Sequence, residues 1–249
     1  MFSLDALEKM LFLDIETVSS HPQYTALPER IQELWDKKAR YFQDSDGHPG
    51  PSTLYEQKAG IYAEFAKVVC VSCGYLRFNK GEGSRPESTL KVKSFYGSDE
   101  KVLLDAFGKL LNDWALDNLG RPHTDRTLCA HNGKEFDFPF LGRRFLIQQL
   151  ELPEMLKIQE KKPWEIPYVD TMELWKFGDY KAYTSLDLLA AIFEVPSPKD
   201  DIDGSQVGKV FWEEQDLERI KTYCEKDVLT TANVLLKMCR MPLATMQVV

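Results

Sequence analysis

The feature that most constrains the fold is the apolar segment at residues 11–17 (LFLDIET), which carries two acids where a buried β-strand is expected. Successive side chains of a strand alternate between its two faces. Asp14 and Glu16 should therefore share one face, while Leu13 and Ile15 share the other. Two neighbouring carboxylates at the edge of a core repel each other and lose hydration. A shared proton, basic partners or a metal cation could offset that cost.

The composition is that of an ordinary globular protein. The chain has 249 residues, 43% of them hydrophobic and 28% charged, so we predict a single domain over residues 1–249 with a substantial core. No apolar run approaches the ~18 residues that a membrane-spanning helix needs. The first ten residues carry acids where a signal peptide has basic residues. We therefore expect a cytoplasmic protein that does not enter a membrane.

The five cysteines are scattered through predicted strands and helices, which is typical of free, buried thiols in a reducing compartment. Cys70 and Cys73 are three residues apart in a predicted strand, so their side chains should point to opposite faces. This spacing argues against a zinc site there. Cys224 belongs to the apolar stripe of the last predicted helix.

The periodicity of apolar residues predicts an α/β fold. Strands are predicted at residues 11–15, 68–76, 90–96, 127–130 and 166–169, and helices at 99–119, 138–150, 185–193 and 216–239. The second and third strands, joined by a polar turn at 79–88, form a predicted antiparallel pair. Residues 21–66 are predicted to be a helical insertion after the first strand. The order of elements predicts a mixed central sheet flanked by helices.

Two further acids lie where a carboxylate is expected to have a partner. Asp137 follows Asn132 directly before a predicted helix, where it could instead cap the helix N-terminus. Tyr223 and Asp227 are four residues apart on the last helix, so they project from the same face at the edge of the apolar stripe. The alternatives for Asp227 are a local pair with the phenol or exposure to solvent.

Convergence of these acids at one edge of the sheet would produce strong mutual repulsion, which divalent cations would relieve. Hard cations such as Mg²⁺ and Mn²⁺ take oxygen ligands. Two of them ~4 Å apart can stabilise both the attacking and the leaving oxygen of a phosphoryl displacement. The sequence therefore predicts a site for two divalent metal ions.

Three motifs, taken in order, resemble those of the DEDD superfamily of exonucleases: DIET at residues 14–17, NxxxFD at 132–137 and YxxxD at 223–227. The tyrosine resembles the DEDDy branch, and NxxxFD is similar to the proofreading exonuclease domains of family B DNA polymerases. The chain also resembles stand-alone bacterial proteins described as predicted 3'-5' exonucleases related to that domain. The resemblance implies an RNase H-like fold and a 3'-5' exonuclease acting on the 3' end of single-stranded nucleic acid, with DNA expected.

The same resemblance implies the ligands of the two metal ions. Asp14, Glu16 and Asp227 would hold the ion that binds the attacking water. Asp14 would be shared with a second ion near Asp137.

Weaker roles are implied for residues beside these ligands. Tyr223, whose unperturbed pKa is ~10, is expected to orient the attacking water through a hydrogen bond rather than to deprotonate it. Asn132 is expected to shape its motif or contact the substrate strand, and Thr17 to approach the terminal sugar through its backbone. His131 is predicted to be structural, because the third motif has a tyrosine where the histidine branch has histidine.

Two alternative functions remain open. One is a 3'-5' exoribonuclease, because recognition of the 2'-hydroxyl is local and leaves no sequence signal. The other is a non-catalytic module that binds a nucleic-acid end or a partner protein, although all four acids and the tyrosine are present. The net charge of -8 argues against binding through bulk electrostatic attraction. The basic pairs at residues 143–144 and 161–162 could line the path of a strand, but short pairs of this kind are more often solvated surface, and we predict solvated surface.

Overall fold

A mixed β-sheet with helices on both faces forms the framework in a computed structural model that describes residues 2–42, 49–79, 86–117, 119–179, 183–196 and 201–249. The strands in these ranges are β1 (Met10–Ser19), β2 (Ala66–Asn79), β3 (Glu87–Tyr96), β4 (Thr127–Ala130), β5 (Val169–Asp170) and β6 (Thr245–Val248). Their order across the sheet is β5-β4-β1-β2-β3-β6. β2 is antiparallel to β1 and β3, whereas the β1–β4, β4–β5 and β3–β6 pairs are parallel. The predicted α/β class with a mixed central sheet flanked by helices is confirmed.

The helices connect and cover these strands. They are α1 (Leu4–Glu8), α2 (Glu29–Ala39), α3 (Pro51–Lys58), α4 (Glu100–Ala115), α5 (Asp137–Ile147), α6 (Thr171–Lys176), α7 (Leu186–Ile192), α8 (Val207–Lys209) and α9 (Leu217–Met238). A π-helical turn over Val210–Glu214 follows α8. Within the described ranges, no helix has the length and apolar character needed to cross a membrane.

The central strand β1 separates two cores. Leu11, Leu13 and Ile15 belong to the core formed with α4 and α5. Phe12 belongs to the opposite core, which includes Val228 of α9. Asp14 and Glu16 share the face of Phe12 and lie toward α9, as the strand alternation predicts.

The CxxC pair follows the same alternation. Cys70 belongs to the core under α9, whereas Cys73 belongs to the core under α4 and α5. The five cysteines are free thiols, and the opposite orientation of these two confirms the prediction from their spacing.

Several elements differ from the sequence prediction. β1 continues to Ser19, so its acids lie inside the strand rather than at its end. β5 contains only Val169–Asp170, the last part of the predicted strand and the acid after it. The short helices α1 and α6 and the exposed edge strand β6 were not predicted, because five, six and four residues are too few to give a periodic apolar signal.

The predicted helical insertion after β1 contains α2 and α3 and has its own aromatic core. The Trp35 ring lies 5.4 Å from the Tyr55 ring and 5.0 Å from the Phe65 ring, both edge-on. The Thr17 hydroxyl donates a hydrogen bond to the Gly60 carbonyl at 2.7 Å, which attaches the insertion to β1. Parts of the insertion, of the predicted turn at 79–88 and of the loop at 195–205 fall outside the described residues.

Arg144 does not belong to a solvated surface pair, contrary to the sequence prediction. It is 6% exposed, and its Nε donates to Glu100 Oε1 at 2.8 Å while Nη1 donates to the Ala63 carbonyl at 2.7 Å. Glu100 also accepts the Val68 amide at 2.7 Å. The pair therefore connects α4, α5, β2 and the end of the insertion.

We expect Glu100→Gln to lower the free energy of unfolding by about 3 kcal/mol or more, because the Arg144 charge would stay buried without its counter-charge. Urea unfolding measures this change. The matched control is Asp105→Asn, which removes an exposed pair with Lys109 on the same helix and should cost less than about 1 kcal/mol. Equal effects of the two variants would contradict the structural role of the buried pair.

Candidate active site

The acids of β1 meet the last helix at its buried face. One ligand atom from each of Asp14, Glu16 and Cys224 lies within 4.8 Å of the other two. The Cys224 thiol lies 3.5 Å from Asp14 Oδ2 and 3.4 Å from the Asp14 carbonyl oxygen. The sequence identified Cys224 only as part of the apolar stripe. Its position beside the motif tyrosine was the available signal that it lies at the site.

Asp137 lies near the point where the pairing between β4 and β1 ends. β4 pairs with β1 as far as Phe12, and beyond that point the Ile15 amide donates to the Asp137 carboxylate. Asp137 is 4% exposed and is the first residue of α5, so the predicted alternative of an N-cap is wrong; Phe136 occupies that position. The carboxylate instead ties α5 to the strand that carries the other acids.

The loop between β4 and α5 is held by a buried acid that the sequence analysis missed. Asp170, 2% exposed, accepts the amides of Asn132 at 3.0 Å and Lys134 at 3.1 Å. Asn132 has φ 61°, a left-handed conformation that asparagine tolerates. A Cβ at Gly133 would lie 2.4 Å from the Ala130 Cβ, so the loop requires glycine there. The Asn132 Oδ1 is buried without a hydrogen-bond partner among the described residues.

Tyr223 and Asp227 form the local pair considered as an alternative from the sequence. The phenol is hydrogen-bonded to the Asp227 carboxylate and is 8% exposed. Burial, together with the charges of Asp227 and Glu16, raises the pKa of Tyr223 well above its ordinary value. The phenol is therefore a permanent hydrogen-bond donor at neutral pH.

A cavity of about 270 Å³ opens above these residues. Asp14, Tyr223 and Asp227 line one side of it, together with His131. The other side consists of residues that the sequence analysis did not assign to a site: Tyr183, Ser185, Leu186, Asp187, Asp203 and Gly204. Asp203 belongs to the acidic loop at 195–205, but nothing in its local pattern indicates which cavity it would face.

Two predicted residues have their side chains engaged elsewhere. The Thr17 hydroxyl is bonded to the insertion, so only its backbone is available to a substrate. His131 Nδ1 is bonded to Thr171 Oγ1 at 2.9 Å, and its Nε2 to the Thr184 carbonyl at 2.9 Å. Both ring nitrogens are therefore satisfied, in agreement with the structural role predicted for this histidine.

Three carboxylates of the site, those of Asp14, Glu16 and Asp137, have raised pKa values. Burial is the main cause that raises the pKa of Asp14 and Glu16 well above their ordinary values, and the charges of the neighbouring acids add to it. Burial also raises the pKa of Asp137 to about 7. No Lys or Arg of the described ranges forms an ion pair with any of these three. Buried oxygens without counter-charges fit a divalent cation, which would remove both the repulsion and the desolvation cost.

The chain is similar over most of its length to a family of exonucleases. Residues 61–246 match the model of a family described as "Predicted 3'-5' exonuclease related to the exonuclease domain of PolB", and the chain belongs to this family. The predicted relationship to 3'-5' exonucleases similar to the exonuclease domain of family B DNA polymerases is confirmed, as is the prediction of a 3'-5' exonuclease. The match contains Asp137, Tyr223 and Asp227, whereas β1 precedes it. The fold brings Asp14 and Glu16 to the matched segment.

Solved structures similar to the chain include a family B DNA polymerase from the hyperthermophilic archaeon Pyrobaculum calidifontis, with 17% identity and a TM-score of 0.49. The similarity covers 93% of this chain and 24% of the polymerase, so the chain spans about a quarter of that protein. The RNase domain of the yeast Pop2 protein is similar with 12% identity and a TM-score of 0.39, over 97% of this chain and 82% of that domain. No curated protein matches the chain with significant similarity.

The raised pKa of Asp137 predicts how the metal-free protein responds to pH. The ordinary value of 3.8 applies to the unfolded chain, and about 7 to the folded one. The folded state therefore holds more protons between these values, and the contribution of Asp137 to stability falls as pH rises through this window. In chelator, Asp137→Asn should stabilise the protein relative to wild type increasingly from about pH 4 to about pH 7.

Urea unfolding at a series of pH values measures this difference. Asn retains an oxygen that can accept the Ile15 amide, so the variant isolates the charge. Saturating Mg²⁺ should reduce the pH dependence of wild type more than that of the variant. A difference between the two proteins that shrinks as pH rises would refute the assignment.

Proposed function

We propose that residues 1–249 form a single catalytic domain, in the cytoplasm, that removes nucleotides from the 3' end of single-stranded DNA by a two-metal-ion mechanism. The observation that carries this proposal is the convergence of Asp14 with the buried acids Glu16 and Asp137, none of which forms an ion pair with a Lys or Arg of the described ranges. Asp227 and Tyr223 lie at the same cavity. A cluster of acids with a purely structural role would only destabilise the fold, because its charges repel one another. Exonucleases of this kind typically use divalent metal ions, which would neutralise those charges.

The proposed ligand set is the one that the resemblance to the DEDD superfamily implies. Asp14, Glu16 and Asp227 would hold one Mg²⁺ or Mn²⁺, and Asp14 and Asp137 a second. Bound there, the ions would lower the pKa of water and neutralise negative charge that develops on the phosphate. Asp14 is central to both sets, and its pKa is raised by the charges of both Asp227 and Asp137.

Tyr223 would position the attacking water. Its raised pKa makes it a poor base, because the phenolate is disfavoured by burial and by the surrounding acids. Its hydrogen bond to Asp227 fixes the ring at the cavity wall. Once a cation engages that carboxylate, the phenol hydroxyl can donate to a substrate oxygen or accept from the water.

The cavity suits the end of a strand. Its volume of about 270 Å³ is near the lower limit of small-ligand pockets, ~300–1,000 Å³, so it favours one terminal nucleotide over a duplex segment. Thr17 would approach the terminal sugar through its backbone. The buried, unsatisfied Asn132 Oδ1 offers an acceptor beside the second motif, and Asn132 would contact the strand or support the loop. The negative net charge is compatible with binding that relies on cations at the strand end.

We expect Asp14→Asn and Asp227→Asn each to lower the rate of strand shortening at least ~10³-fold, because a metal ligand contributes several kcal/mol to transition-state stabilisation. The assay uses 5'-labelled single-stranded DNA and RNA of one sequence with Mg²⁺ or Mn²⁺. Asp105→Asn, an exposed acid of α4, serves as the matched control and should leave the rate unchanged.

The label also tests polarity and substrate. A ladder of progressively shorter labelled products supports attack from the 3' end, whereas immediate release of a labelled mononucleotide contradicts it. Faster shortening of RNA would replace DNA as the substrate. A wild-type protein that binds the strands but cleaves neither would favour the non-catalytic alternative.

For Tyr223→Phe we expect a single-turnover rate about 10- to 100-fold lower, which corresponds to loss of one hydrogen bond to a charged group, ~1.5–3 kcal/mol. Mn²⁺ affinity, measured by calorimetry, should stay close to that of wild type because the ring itself is retained. A rate equal to that of wild type would exclude the water-orienting role.

A further inference from the structure

A thiol lies under the acidic cluster of this site. Cys224 is fully buried, and its Sγ lies 3.5 Å from Asp14 Oδ2. A Glu16 oxygen completes a set of three atoms that all lie within 4.8 Å of one another. Three ligands at such separations can surround one cation at normal bond lengths, about 2.0–2.3 Å for zinc.

The surroundings of Glu16 are a second indication that a cation binds beside Asp14, Glu16 and Cys224. Its side chain is only 6% exposed, and it accepts no hydrogen bond from any residue of the described ranges. A buried carboxylate normally has hydrogen bonds, an ion pair or a metal ion to compensate for lost hydration. Asp14 and Cys224 each have a ligand atom within 4.8 Å of a Glu16 oxygen, and neither supplies a positive charge.

The ligand types in this set, two carboxylates and one thiol, determine which class of cation it favours. Two carboxylates alone would suit Mg²⁺ or Mn²⁺, but sulfur is a soft ligand that favours Zn²⁺ and its analogue Cd²⁺. Asp227 is not part of this three-atom set. The zinc ligands therefore differ from the ligands proposed for catalysis by one exchange, Cys224 for Asp227.

We infer that Asp14, Glu16 and Cys224 form a zinc site whose occupation inhibits the exonuclease. Binding requires loss of the Cys224 thiol proton to solvent and formation of one sulfur–zinc bond, with no change of oxidation state. Asp14 and Asp227 line the cavity, whereas Cys224 is fully buried and does not line it. Zinc held by these three residues would occupy Asp14 and Glu16 and prevent a catalytic cation from using them. The inhibitory part of this inference rests on the proposed function.

Cadmium is the direct probe, because its bond to a thiolate gives an ultraviolet charge-transfer absorption that needs no catalysis. Titration of wild type with Cd²⁺ should give this band, saturating with one thiolate per chain at the site. Cys224→Ser should lose it. Cys239→Ser, which removes a more accessible thiol outside the site, should keep it. Persistence of the band in Cys224→Ser, or its absence in wild type, would overturn the inference.

Glu16→Gln provides a second variant that keeps all thiols. It should retain the band but weaken Cd²⁺ binding at least 10-fold, since a carboxylate ligand is lost. An unchanged affinity would remove Glu16 from the site and refute the proposed ligand set. Circular dichroism of each variant checks that the fold is retained.

Inhibition is tested separately with Mg²⁺-supported shortening of labelled single-stranded DNA. The zinc concentration that halves the rate should be at least 10-fold higher for Cys224→Ser than for wild type and Cys239→Ser. Equal sensitivity of all three would contradict the inhibitory role. If no protein cleaves DNA or RNA, the proposed function fails while the cadmium result still decides the site.

Discussion

Repulsion between buried carboxylates is the constraint around which the other elements are arranged. Asp14 and Glu16 are fixed by the central strand, which pairs with β2 along its length. β4 ends early enough for Asp137 to accept the Ile15 amide, and Asp170 holds the loop between them. Each of these features brings the negative charges of the acids closer to one another. The burial and proximity of these acids raise the pKa values of Asp14, Glu16 and Asp137 and therefore disfavour their charged forms. The cations proposed for this site would offset that cost.

The sequence predicted the parts of this arrangement that depend on local periodicity. Alternation along β1 placed both acids on one face, and the spacing of three and four placed Tyr223 beside Asp227. The long helices and the central strands have enough residues for such periods to be visible. The limits of β1 were harder to predict, because Thr17 and the residues after it pair with β2 beyond a bulge at Val69. The sequence before the insertion carries no signal of that pairing.

Other parts of the site depend on contacts between distant segments. Asp170 follows a two-residue strand, and its partners Asn132 and Lys134 are more than 30 residues away. The second wall of the cavity comes from Tyr183 and from Asp203, which have no spacing in common with the motifs. Such contacts depend on the order of the strands in the sheet and on the path of each loop. The periodicity of a single sequence predicts neither the strand order nor the loop paths.

Two neighbouring residues of the third motif place different functional groups near β1, the phenol of Tyr223 and the thiol of Cys224. Tyr223 and Cys224 are neighbours on α9, but the tyrosine lines the cavity while the thiol is fully buried against Asp14. Asp227 follows one turn later and also lines the cavity. In the two proposed ligand sets, a cation at the β1 acids would be completed by an oxygen of Asp227 or by the sulfur of Cys224. Because these donors differ in softness, the identity of the cation would decide between them.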